Sequence, residues 1–258
     1  MPALRPGRAA SLSLRALLGF AFPDHCLSCD LPLSGDERHL CAACLGNLLP
    51  KLRTRTLAPG PHGDPLVPDG ALFLFAFTGP FRRLVHALKF EGRVTAAGLI
   101  AELAAETGSL APLATRSGIV VVPVPLHPTR LRSRGYNQAA LLGEHLARLM
   151  DLPTARRALF RARPTSEQAR LGRLERTANV AGAFRARPRS LAGAHALLVD
   201  DVVTTGATLL AAAGALVDAA PESVTLLGFG AAPRGDAPRG RPGQGGGAWR
   251  VDRSMDRD

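Results

Sequence analysis

Residues 197–209, L-L-V-D-D-V-V-T-T-G-A-T-L, constrain this chain more than any other stretch. Leu197, Leu198 and Val199, with residues 194–196 before them, make a short apolar run that stops at two carboxylates. A buried parallel strand reads this way at its carboxyl end. T-T-G-A-T follows, and then an apolar helical pattern over residues 209–220. A small glycine-containing turn at a helix start presents backbone N–H groups and hydroxyls to an anion, and the helix dipole adds to the attraction. Thr204, Thr205, Gly206, Ala207 and Thr208 therefore form a candidate phosphate cradle. Asp200 and Asp201 lie where a sugar attached to that phosphate would fall, and carboxylates accept readily from vicinal hydroxyls. A strand ending in two solvated acids before a Thr-capped helix would carry similar letters. The two halves occurring in register make the binding reading the specific one.

The spacing resembles the phosphoribosyl pyrophosphate (PRPP) signature of type I phosphoribosyltransferases: an apolar run, two acids, then T-G-x-T or its equivalent. The resemblance implies an α/β fold, a Rossmann-like parallel sheet flanked by helices. It also implies that Asp200 and Asp201 hold the ribose while residues 204–208 hold the 5-phosphate. A chain of 258 residues leaves room for one such domain and a small appendage.

All four cysteines fall early, Cys26, Cys29, Cys41 and Cys44, as C-x2-C-x11-C-x2-C. Two paired knuckles can deliver four thiolates tetrahedrally to one zinc ion, and no cysteine is left over. Disulfides are the poorer account, because no secretory signal precedes them: Arg15 interrupts the apolar stretch at residues 12–22, which reads as a short amphipathic helix. The zinc is expected to be structural, holding together a segment too short for its own core. His25 and His39 flank the pairs and read as polar neighbours. With no apolar run near the length of a membrane span, the expectation is a cytoplasmic protein without membrane insertion.

Further along, residues 71–78 suit a strand, and residues 81–90 place Phe81, Leu84, Val85 and Leu88 at helical spacing. His86 and Lys89 fall towards the polar side of that helix. A second helix is predicted over 96–106, a buried β-branched strand over 118–124, a helix from about Tyr136 to Met150, and a last strand over 224–230. Residues 130–189 hold 14 Arg against four acids, +10 of the whole chain's net +11. Such clustering suggests an anionic partner. Arg130, Arg134, Gly135 and Asn137 follow the 118–124 strand and so crowd the strand-to-helix edge shared with residues 200–208 if the strands are parallel. They are the candidate pyrophosphate edge, with Mg2+ expected to accompany the ligand. The polar half of residues 161–184 lacks a clean strand period and reads as a long flexible arm or hairpin before residues 180–184, its arginines suggesting a lid that carries Arg163, Thr165, Gln168, Arg173 and Arg176.

Three ordered motifs, P-V-P-L-H-P-T-R-L-R-S-R-G-Y-N-Q, R-P-T-S-E-Q-A-R-L-G-R-L-E-R-T-A-N-V-A-G-A-F and L-L-V-D-D-V-V-T-T-G-A-T, resemble the ComF competence-protein family. The F-P-x-x-C-x-x-C knuckle and the L-K-F helix ending agree, so the likeness runs over about residues 17–229. It implies a zinc ribbon ahead of a phosphoribosyltransferase-like domain, and a role in single-stranded DNA uptake during natural transformation. The middle motifs also resemble the phosphoribosyl half of amidophosphoribosyltransferase, but no glutamine-hydrolysing half accompanies them, so purine synthesis is not expected.

The expected organisation is an amino-terminal helix and zinc module at 1–57, a Pro/Gly-rich linker at 58–70, the phosphoribosyltransferase-like domain at 71–232 and a disordered tail at 233–258, where Pro and Gly dominate. Two functions fit. One is a PRPP-binding protein that handles single-stranded DNA, in which the zinc ribbon could dock an uptake helicase or channel component. The other is an active phosphoribosyltransferase acting on a nitrogen acceptor. No acceptor pocket or firmly catalytic residue is legible, so enzymatic activity stays open.

Overall fold

The computed structural model describes residues 24–48, 70–106, 108, 110–114, 116–163 and 180–232. The amphipathic stretch at 12–22, most of the linker, arm residues Thr165, Gln168, Arg173 and Arg176, and the tail from 233 lie outside the described residues. Four strands, β1 (Gly70–Ala76), β2 (Ile119–Pro123), β5 (His195–Val203) and β6 (Ser223–Ala231), form one sheet in the order β1-β6-β5-β2. All three pairings are parallel. A separate antiparallel pair joins β3 (Leu159–Arg161) to β4 (Phe184–Ala186).

Both faces of the sheet are covered, as an all-parallel sheet requires. On one face lie α2 (Gly79–Phe90), α3 (Thr95–Glu106) and α6 (Gln138–Leu149), whose apolar sides meet Leu72, Leu74, Val121, Leu197, Val199, Leu227 and Phe229. The other face holds α7 (Ala207–Ala215), the 3-10 turn that follows it, and the β3–β4 pair, packed on Ala196, Leu198 and Leu226. The buried face of α2 is the one its spacing predicts: Phe81, Leu84, Val85 and Leu88, with Pro80 in the first turn, where its missing N–H costs nothing.

The cysteine segment belongs to this core. Cys26, Leu40, Cys44 and Leu48, the last two on α1 (Ala42–Leu48), are buried in the same apolar cluster as α2 and α3. Two short helices complete the described set, α4 (Ala111–Ala114) and α5 (Pro128–Arg134). The sequence reading anticipated only a stiff strand exit where α5 lies. His127 accepts the Thr129 N–H at its start, and Gly135, at φ 82°, closes its end in the left-handed conformation that favours glycine.

Strand β6 explains its own glycines. A Cβ at Gly230 would lie 2.4 Å from Cε1 of Phe81, which is fully buried and stacked on Phe75 with 4.8 Å between ring centres. At Gly228 it would lie 2.6 Å from Cγ2 of Val203. The last turn of the sheet edge can thus approach α2 only because β6 is bare there. Gly230→Ala is expected to cost about 1–3 kcal/mol through overpacking. Urea denaturation should show an earlier midpoint with an unchanged slope; an unshifted midpoint would mean that Phe81 moves aside freely.

Candidate functional site

Parallel strands bring their carboxyl ends to one edge, so the loops after β1, β2 and β5 converge there. The sequence predicts that the strand stops at the acid pair, but β5 continues through it to Val203, paired with Ala231 of β6. Below the pair, Leu197 and Val199 face the α2 side and Ala196 and Leu198 the α7 side; beyond it, Val202 packs towards the first cluster and Val203 into the second. The alternation thus reverses across Asp200 and Asp201. Each carboxylate accepts the next backbone N–H there, Asp201 N donating to Asp200 Oδ1 at 2.9 Å and Val202 N to Asp201 Oδ1 at 2.6 Å.

The two acids meet different counter-charges. Lys89 Nζ of α2 lies 2.8 Å from Asp201 Oδ2, with both side chains mostly buried. Of the two polar-side residues of α2, Lys89 is thus drawn into an ion pair, while His86, paired with Glu91, lies in the open. Asp200 is pushed up to about 7, first by burial and then by the charge of Asp201, against the opposing pull of Lys89 and Arg161. Arg161, at the end of β3, sits with its guanidinium 5.1 Å from the Phe184 ring centre, and burial followed by the nearby Arg130 charge holds its pKa below the usual arginine range. Through Arg161, residues on β3, α5 and β5 share one electrostatic environment.

After Val203 the chain leaves the sheet through Thr204 and Thr205 and turns at Gly206, whose φ of 81° favours glycine. Gly206 supplies no side-chain cap to α7; Thr205 Oγ1 accepts from Ala207 N at 3.4 Å. The backbone of residues 202–209 and Asp200 line a small concavity at this helix start. Asp200 and the turn at 204–208 therefore share one concavity, while Asp201 lies outside its lining, paired with Lys89.

The other predicted edge residues serve to fasten the loops. Asn137 caps α6 by accepting from Ala139 N at 3.1 Å, while its Nδ2 donates to Val124 O at 2.9 Å, tying the helix to the end of β2. Arg134 donates to Gln138 Oε1 at 3.0 Å and lies 5.4 Å from the centre of the Phe90 ring. The Tyr136 hydroxyl donates to Leu88 O. The L-K-F ending of α2 is thus held at three successive residues, by Tyr136, Asp201 and Arg134. Gln138 is buried, and its Nε2 has no hydrogen-bond partner. Arg163 Nη2 donates to Ala181 O at 2.6 Å, just beyond the Arg161–Phe184 end of the β3–β4 pair. Sequence reasoning missed Lys89 and Arg161 as site residues. One signal was available for Lys89: the chain has 32 basic residues, and only Lys51 and Lys89 are lysines.

Alongside α2 the four cysteine sulfurs lie within 4.8 Å of one another, and Cys29 Sγ is 3.7 Å from Cys41 Sγ. Four sulfurs at about 2.3 Å from a tetrahedral ion would be about 3.8 Å apart, so the donor set and spacing fit zinc. Burial raises the Cys26 thiol, but backbone N–H groups of Cys41, Cys29 and Ser28 outweigh it and bring the thiol down to about 6; against the Leu31 N–H, burial and the neighbouring sulfurs push Cys29 up to about 12, and burial pushes Cys44 up as well. Arg83 of α2 donates through Nε to Ser28 Oγ at 3.1 Å and reaches Cys44 Sγ at 3.9 Å. Arg93, just past α2, pairs with Asp30 at 2.8 Å. Among the described residues no helix is long and apolar enough to cross a membrane.

Comparison with known proteins agrees with this arrangement. A family model described as a phosphoribosyl transferase domain matches residues 137–238, covering the α6 start, β5, the cradle and β6. The chain is 30% identical over 200 residues to the DNA utilization protein YhgH of Salmonella typhi, a match covering 72% of this chain and 88% of that protein. It is 38% identical over 91 residues to Competence protein F of Haemophilus influenzae, covering 34% of this chain and 40% of that one. Competence protein ComFC of Bacillus subtilis is 36% identical over 112 residues, covering 42% of this chain and 44% of that one. With its parallel sheet, its phosphoribosyltransferase domain and a cysteine cluster docked on the first helix of that domain, the chain belongs to the ComF family.

Proposed function

We propose that the edge formed by β5, α5 and α7 binds PRPP with Mg2+, and that the protein uses this bound state in handling DNA taken up by the cell. Residues 204–208 would hold the 5-phosphate, Asp200 and Asp201 the ribose hydroxyls, and Arg130, Arg134 and the backbone at Gly135 and Asn137 the pyrophosphate. The observation that carries the reading is the acid pair itself: a half-buried carboxyl held near neutrality beside a lysine-paired one, next to a helix start whose glycine cap leaves the anion side open. Partly buried acids are costly to keep unless a ligand uses them. The orphan amide of buried Gln138, at the start of α6, supports a further acceptor arriving there. The four cysteines would hold one structural Zn2+. The DNA role rests on the relatives named for competence and DNA utilization.

Because ionised Asp200 is the stronger acceptor for a hydroxyl, binding should release a proton below its pKa of about 7. Titration calorimetry of PRPP with Mg2+ should therefore give an affinity that rises by up to about tenfold per pH unit below pH 7 and levels off above it. Absence of heat at every pH would remove the reading. An affinity flat across that window would remove Asp200 from it.

A further inference from the structure

A second basic site lies away from this edge, on the outer side of the β3–β4 pair. The pair alternates as a half-buried ribbon should. Leu159, Phe184 and Ala186 point into the core, while Phe160 and Arg185 stand outward, directly opposite each other in register. Phe160 remains 47% exposed, and Arg185 folds back to donate to Phe184 O at 2.8 Å. Beside this face opens a cavity of about 440 Å3 lined by Thr154, Arg156, Arg157, Arg187 and Ser190. Its position is lateral: Thr154 lies alongside Val121 in the middle of β2, and Arg187 N donates to Ala158 O. Arg156 pairs with Glu144 of α6. Among the described residues no carboxylate lies within ion-pair distance of the exposed Arg157 or Arg187.

A solvent-exposed aromatic ring and arginines without carboxylate partners together offer two complementary contacts. Guanidinium groups meet successive phosphates, and an unstacked base lies on the ring. Duplex DNA would offer the phosphates but not a free base face. We infer that single-stranded DNA binds here, its phosphates at Arg157 and Arg187 and a base on Phe160. The inference rests on the DNA-handling part of the proposed function, but not on PRPP binding.

The test is fluorescence anisotropy of the full chain with a labelled oligodeoxythymidylate of about 20 nucleotides, across a salt series beginning at about 50 mM. Replacing both arginines (Arg157→Ala with Arg187→Ala) should reduce the log–log salt slope by about 1.4, two single-strand phosphate contacts. Phe160→Ala should weaken binding roughly 5- to 100-fold at fixed salt with the slope unchanged, as for one lost base stack. Phe160→Leu, which keeps an apolar side chain but no π face, should lose nearly as much. All three proteins should melt like the wild type and keep PRPP affinity. Wild-type affinity and slope in every variant would overturn this surface while leaving a DNA role intact. No binding of the oligonucleotide by the wild type would overturn both. If Phe160→Ala weakened binding of a duplex of equal length as much as the single strand, the base-stacking assignment would fail.

Discussion

Asp200→Asn is expected to make the protein more stable above neutral pH while abolishing its affinity for PRPP. In the folded chain this carboxyl titrates near 7, against an ordinary value of 3.8. Between those values the folded protein holds a proton that the unfolded chain has released, so stability falls as pH rises from about 4 to about 7 and then stays level. The penalty belongs to the ionised form: burial removes its water, and Asp201 adds like charge within the same strand. Lys89 offsets only part of it, because its ammonium is committed to Asp201. A neutral amide of similar shape avoids the penalty and can still accept the Asp201 N–H through its oxygen. The gain should reach about 2–4 kcal/mol at pH 8 and vanish near pH 4. Thermal melts of both proteins across that range would show the wild type losing stability and the variant holding level. A variant less stable than wild type at pH 8 would mean that the carboxylate is a net structural asset. The trade of stability for binding is what a ligand site built on buried charge entails.

Stripping the cysteine cluster of its metal, or replacing Cys41 with Ser, is expected to have the largest effect on folding. Structural zinc contributes on the order of 10 kcal/mol of apparent folding free energy, comparable with the whole stability of a domain. Here the loss would not stay within residues 24–48. Cys26, Cys44, Leu40 and Leu48 are buried against the same cluster as Leu84, Val85 and Leu88 of α2, and Arg83 bonds Ser28 from that helix. Unfolding the cysteine segment would expose one side of α2, whose far end carries Lys89 and the contacts to Tyr136 and Arg134. Metal analysis should find about one zinc per chain. Chelation should lower the melting temperature by more than about 15 °C and weaken PRPP binding together with it. A chelated protein that melted normally would deny the cluster its structural role. One that lost stability but bound PRPP unchanged would show that α2 keeps its position without the cysteine segment.

Much of this was legible because it is local. The apolar face of α2 appears in the spacing of Phe81, Leu84, Val85 and Leu88, and the strand at 119–123 in a run of β-branched residues. The cysteine knuckles and the glycine turn at 206 each declare themselves within a few residues. What failed to show has two causes, one local and one tertiary. Helix α5 is too short and too polar to leave a period, and all seven of its residues escape burial. Continuation of β5 past Asp200 and Asp201 depends on β6, whose bare Gly228 and Gly230 admit Val203 and Phe81.

The sequence by itself determined the element types, the parallel α/β class, the glycine turn beside the acid pair and the paired cysteine knuckles, because caps, turns and side-chain periods act over at most one or two helical turns. Only the tertiary structure decided which charges meet. Lys89 reaches Asp201 across more than a hundred residues of chain, Arg161 brings the β3–β4 pair against Asp200, and Phe160 is left in solvent opposite Arg185. Those outcomes depend on strand order and on which helix covers which face, and no spacing within a single element encodes them. For residues 197–209 the consequence is concrete: the letters set the acid pair and the glycine turn, and the fold set the charges that surround them.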